Sequence, residues 1–160
     1  MLNNENKKII TILTFFLLFN CGFEPIHSKK KLDNSYNFTI SNITFLGDNK
    51  VNQTLKNDLK NYINIETKPI KYDLVINSSS VKIVTSKNKK GNPEAFSMEI
   101  TINVDIHKAE NLINQTTLKE NFEYKNKSNK FELKQYEKNI KKNLTSKLSR
   151  DINEYLYSIK

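Results

Sequence analysis

The chain of 160 residues has one cysteine, no tryptophan, three glycines, three prolines and two histidines. A single cysteine excludes an intramolecular disulfide framework and a cysteine-based structural zinc site. The scarcity of glycine leaves no room for a glycine-rich phosphate loop, and no HExxH, GxSxG or Walker pattern occurs. The histidines, His27 and His107, lie in a basic stretch and on the polar phase of an alternating segment, with no carboxylate set spaced to form a site around either. Nothing here specifies an enzyme, a metal centre or a cofactor, so a binding or structural role is expected. What the chain has in excess is positive charge. It carries +9 overall, of which Lys7, Lys8 and Glu5 account for one unit, leaving +8 on residues 21–160. That balance attracts polyanions such as nucleic acid, anionic headgroups or phosphorylated glycolipid.

The one long apolar run is IITILTFFLLF, residues 9–19, placed directly after a polar start that ends in Lys7 and Lys8. As a helix its 11 residues span about 16 Å against about 30 Å of hydrocarbon, too short for a comfortable membrane span. A cationic start followed by a run of this length is the pattern of a secretory signal segment. The alternative, a core helix, is disfavoured because the run has no polar face. Leu18-Phe19-Asn20-Cys21-Gly22 follows, and a leucine three residues before a cysteine resembles the lipobox of bacterial lipoproteins. That resemblance implies thiol acylation of Cys21 and cleavage before it, although Phe19 and Asn20 are bulkier than the small residues usual there. An uncleaved anchor with an incidental thiol is the other reading. The expected organisation is a signal peptide at 1–20, a lipidated basic tether at 21–35 and a folded domain at 36–160.

Within that domain the periodicity changes in an orderly way. YNFTISNITF (36–45) reads as a strand whose apolar residues switch parity after Ile40, so a bulge near Ser41-Asn42 is expected. Val51, Leu55, Leu59, Tyr62 and Ile63 make a helical stripe within 50–65, and Pro69 ends that region. Residues 72–86 form a second strand, and the polar loop 86–94, with Gly91 and Pro93, leads to a third at 95–109. In that strand Phe96, Met98, Ile100, Ile102, Val104 and Ile106 alternate with polar residues, the signature of one dry and one wet face. A fourth strand is expected over about 112–125, and a long helix over 131–158 carries Tyr136, Ile140, Leu144, Leu148, Ile152 and Leu156 in a stripe. The order β-α-β-β-β-α predicts an α+β two-layer sandwich, a four-stranded mainly antiparallel sheet with two helices on one face.

Cys21-Gly22-Phe23-Glu24-Pro25-Ile26 resembles the start of mature LptE lipoproteins of the lipopolysaccharide-assembly system, especially alphaproteobacterial ones. Those commonly read Cys-Gly-Phe-x-Pro-Leu-Tyr; Ile26 and His27 stand in the last two places here. The resemblance is local in residues and extends to size and element order. It implies a non-enzymatic outer-membrane lipoprotein on the periplasmic face, anchored through Cys21, that plugs and helps assemble an LptD-like β-barrel and assists lipopolysaccharide delivery. The alternative is a lipid-anchored periplasmic carrier or auxiliary factor of phospholipid transport. A nucleic-acid partner is not expected, because the aromatics lie on apolar stripes rather than among exposed lysines. For contact with anionic glycolipid the candidates are Lys87, Lys89 and Lys90 of the loop, with Lys82 on the adjoining strand. A solvated loop is the plainer reading of the same charges.

Overall fold

The computed structural model describes residues 36–159. The expected signal peptide, Cys21 and the tether lie outside the described residues. The elements are β1 (Phe38–Gly47), α1 (Asn49–Leu59) with a 3₁₀ turn at Lys60–Tyr62, β2 (Ile70–Lys87), β3 (Pro93–Lys108), β4 (Asn111–Lys125) and α2 (Lys130–Ser158). The strands lie in the order β1-β2-β3-β4 in one sheet. This is the expected α+β architecture in the expected order.

The sheet is mixed. β2, β3 and β4 pair antiparallel, whereas β1 runs parallel to β2, with Phe38 opposite Ile70 and Phe45 opposite Ile76. The cause is the connection. A helix between two neighbouring strands forms a crossover that returns the chain to the starting edge, and the second strand then runs the same way as the first. The parity switch in β1 is a bulge: the register shifts between Ile40 and Asn42, and Ile43 and Phe45 rejoin Phe38 and Ile40 on the helix side. Without the extra residue two large side chains would face outward.

The core lies between the sheet and the two helices. Ile100, Ile102 and Ile106 of β3, Leu74 and Ile76 of β2, Val51, Leu55 and Leu59 of α1, and Leu148, Ile152 and Leu156 of α2 are almost wholly buried. Each such side chain contributes about 1.5–3 kcal/mol on removal from water. A second stripe on α2, of Thr145, Ser149 and Asn153, is also buried. Nearby, Ser146 Oγ donates to Asp58 Oδ2 of α1 at 2.7 Å.

The tightest point in the fold is the corner where β1 becomes α1. Gly47 has φ +90°, and a Cβ there would lie 1.9 Å from the Ser78 carbonyl oxygen, so only glycine fits. The next amide, Asp48 N–H, donates to that carbonyl at 2.9 Å. The Asp48 carboxylate caps α1, accepting from the Lys50 and Val51 amides at 2.8 and 3.1 Å. Its other oxygen accepts from Ser80 Oγ of β2 at 2.6 Å and Lys141 Nζ of α2 at 2.9 Å. Beside it Ser78 Oγ donates to Asn52 Oδ1 at 2.7 Å, and Asn52 Nδ2 donates to the Leu46 carbonyl at 3.1 Å. Burial alone would raise the Asp48 pKa. The hydrogen bonds from Ser80, Lys141 and the Val51 amide, with the Lys141 charge, outweigh it and hold the carboxyl well below the usual carboxylate range.

Two outcomes are expected. Gly47→Ala should lose about 1–3 kcal/mol for the positive φ alone, and more from the collision with Ser78, as measured by urea unfolding. A depressed carboxyl pKa contributes stability above the unfolded-state value of about 4 and loses it as pH falls below that. Stability should therefore drop on acidification below about pH 4, and Asp48→Asn should be less stable at neutral pH while showing a flatter acid limb in pH-dependent thermal unfolding.

Candidate functional site: the basic end of the sheet

At one end of the molecule the β2–β3 turn, the last residues of β4 and the first turn of α2 come together. The turn at residues 88–92 is built by Asn88. Its side-chain oxygen accepts from the Lys90 and Asn92 amides at 2.9 and 3.0 Å, while Gly91 at φ +81° closes the loop. This tight geometry leaves Lys89 and Lys90 exposed at its tip and Lys87 exposed at the end of β2. None of the four ion pairs among the described residues involves these three lysines.

Lys82 is different. The parity of β2 turns it to the helix side, where Nζ lies 2.5 Å from Glu137 Oε1 of α2 and 3.7 Å from the centre of the Phe96 ring. The same carboxylate oxygen accepts from Tyr124 Oη at 2.9 Å. Burial, then the hydrogen bond and charge of Glu137, push the Tyr124 phenol up, so it stays protonated as a donor. Tyr124 also packs against Phe96 and Tyr136. Lys82 thus belongs to a pairing that fastens α2 to the sheet, and its charge is largely spent there. Lys87, Lys89 and Lys90 keep theirs.

Three further lysines, Lys125, Lys127 and Lys130, help line a cleft of about 580 Å³ together with Ser86, Glu94 and Asn126. Asn126 anchors its floor, with N–H donating to the Glu94 carbonyl at 2.7 Å and Nδ2 to the Pro93 carbonyl at 2.8 Å. Its Oδ1 is buried and has no partner among the described residues. The sequence reading missed these lysines because they are far along the chain from the 86–94 loop; the run Lys125-Asn-Lys-Ser-Asn-Lys130 was the available signal. Chemically, this end can attract phosphate or carboxylate groups through several exposed ammonium donors.

The open face of the sheet has another character. Asn42 Nδ2 donates to Asp73 at 2.9 Å, Gln115 Nε2 to Asp105 at 3.0 Å and Thr117 Oγ1 to Asn103 at 2.8 Å, and Lys119 pairs with Glu99 at 2.9 Å. His107 lies on this face opposite Leu112. No cluster of His, Cys, Asp and Glu among the described residues is disposed to hold a metal ion. No helix among them is long and apolar enough to cross a membrane.

No protein-family model and no curated protein matches the chain. Solved structures do. A minor lipoprotein from Acinetobacter baumannii is similar with a TM-score of 0.55 at 14% identity, over 74% of this chain and 91% of that one. Rare lipoprotein B from Shewanella oneidensis is similar with a TM-score of 0.52 at 9% identity, over 72% of this chain and 96% of that one. Lipoprotein B from Nitrosomonas europaea is similar with a TM-score of 0.50 at 9% identity, over 74% and 84%. This chain shares their fold. At such identities the likeness lies in the arrangement of elements and carries no residue of a site from one protein to another.

With Lys87, Lys89 and Lys90 all changed to glutamate, the protein is expected to bind vesicles containing an anionic lipid about ten-fold or more weakly at low salt. The gap should narrow as ionic strength rises to about 0.15 M. Vesicle flotation measures both, and equal binding by the two proteins across that range removes these lysines from the site.

Proposed function

We propose that the protein is a lipid-anchored lipoprotein of the outer membrane, on its periplasmic face, that plugs and helps assemble an LptD-like β-barrel and assists delivery of lipopolysaccharide. The observation carrying this reading is the fold held in common with lipoproteins over nearly their whole length. It joins a single cysteine placed where a lipid acceptor belongs and a Cys-Gly-Phe-Glu-Pro-Ile start that resembles LptE. Acylation of Cys21 with more than one chain would anchor the protein stably, since each buried CH₂ adds about 0.8 kcal/mol.

The surface suits a plug. A large membrane barrel has a polar lumen, and the open sheet face, away from exposed Val81 and Ile83, offers polar side chains already paired with one another. Such a face can meet a wet, polar wall without leaving buried charges unmatched. The basic end adds further exposed cations, free of acidic partners, for the phosphates of a glycolipid. In this role the protein performs no reaction and needs no cofactor; it acts by occupancy and contact.

Extraction of the tagged full-length chain in mild detergent is expected to recover a large β-barrel in near-stoichiometric amount. Cys21→Ser should retain residues 1–20, lack acyl mass by intact-mass spectrometry and lose most of the barrel. Recovery of phospholipid with no barrel would reject the plug in favour of a lipid carrier, and an unacylated Cys21 in the parent would reject the anchor.

A further inference from the structure

β2 outruns its neighbour. β1 pairs with it only as far as Gly47 opposite Ser78, where the chain turns off into α1. Beyond that point β2 continues to Lys87, paired with β3 on one side and, among the described residues, with no strand on the other. The Ser78 carbonyl points to this side, since it receives the Asp48 amide. Alternation along a strand therefore aims the amide and carbonyl groups of Ser80, Lys82 and Val84 along the same edge. The register with β3 is regular through Val84 and shifts only beyond it, between Val84 and Ser86 and again between Ser86 and Lys87, so residues 79–84 present a straight stretch of ordinary strand length.

The side chains along this edge are unusual for an unpaired strand. Val81 and Ile83 on the open face are 50% and 45% exposed, and Val84 on the helix face is 42% exposed. Soluble proteins normally blunt such an edge with bulges, prolines or short length, because an apolar edge with unpaired amides recruits other strands. None of those devices interrupts residues 79–84. The inward lysine, Lys82, is neutralised by Glu137 and blunts it little.

A second copy of this chain laid parallel would align Lys87, Lys89 and Lys90 with their own copies, and like charges directly opposite are destabilising. The same lysines favour a segment of opposite charge.

We propose that residues 79–84 of β2 form a docking edge for an extended segment of another protein, adding a strand to the sheet, with alternating apolar side chains beside Val81 and Ile83 and acidic residues at the end that meets Lys87, Lys89 and Lys90. Backbone pairing supplies the affinity in this mode of recognition, and the side chains select the sequence. The proposal does not depend on the anchor or on a barrel partner, and it stands or falls separately from them.

The test uses the full-length chain in detergent and two blocked decapeptides of alternating valine and threonine, with a glutamate pair at the amino or the carboxy end. One of the two is expected to bind by fluorescence anisotropy and to slow hydrogen exchange at the Ser80, Lys82 and Val84 amides. Which one binds tells the strand direction. Val84→Pro removes one edge amide and should weaken binding about ten-fold or more. Ile83→Asp, an exposed change that leaves the backbone intact, should do the same and guards against a folding defect in the proline variant. A peptide with lysines in place of the glutamates should bind more weakly, with the difference shrinking in salt. Absence of protection at these amides, undiminished binding to Ile83→Asp, or self-association of the parent that Ile83→Asp abolishes would each overturn the proposal.

Discussion

One carboxylate holds the corner on which the rest of the fold is hung. Asp48 ends a strand, starts a helix, and takes hydrogen bonds from Ser80 of β2 and Lys141 of α2. Isolated surface ion pairs are worth little. This one is partly shielded, with side chains 22% and 23% exposed, and it closes a ring in which Lys141 also donates to Ser80 at 2.6 Å. Its contribution is directional. Apolar burial drives the layers together, but burial is indifferent to where along a strand a helix sits. The Asp48 ring, with Gly47 pressed against Ser78, sets where β1 stops, where α1 begins and where α2 crosses. The length by which β2 runs beyond β1 is a result of that setting.

Much of this was legible in the residues. The alternation of β3 is so regular that its buried and wet faces read directly, and the parity switch after Ile40 required the bulge found there. The helical stripes of α1 and α2 were equally plain, because steps of three and four residues have one interpretation in an amphipathic segment. Direction was hidden. Periodicity has no sign, so the parallel pairing of β1 had to come from the crossover rather than from either strand. The β3–β4 turn was hidden too: Ala109 and Glu110 both have positive φ, without the Asn-Gly pair that usually announces such a turn.

The charge pattern was legible only as a sum. The excess of lysine is obvious in the composition, yet its division depends on tertiary neighbours. Lys82 sits in the same run of strand as exposed Val81 and Ile83, and its turn to the helix side, where Glu137 arrives from a distant helix, distinguishes it from Lys87. Likewise Lys125, Lys127 and Lys130 join the β2–β3 turn through β4 and the cap of α2. The outcome is a molecule with an internally paired polar face, a basic end and an incompletely flanked strand, each suited to a different kind of contact.

The parallel register of β1 also bears on the order of assembly. β2, β3 and β4 form a meander of neighbouring hairpins, whose loops are short and whose closure is cheap in chain entropy. Among the described residues β1 has no such neighbour. It can add to the sheet only after β2 is in place and the whole crossover through α1 has been laid down, so its pairings carry the longer loop and belong to the slower events of folding. In a chain made from its amino end, the first of the described strands to emerge is thus among the last of them to find its partner. The bulge, the glycine corner and the capped helix all lie on that strand or just after it, where a late-docking segment most needs its register determined in advance.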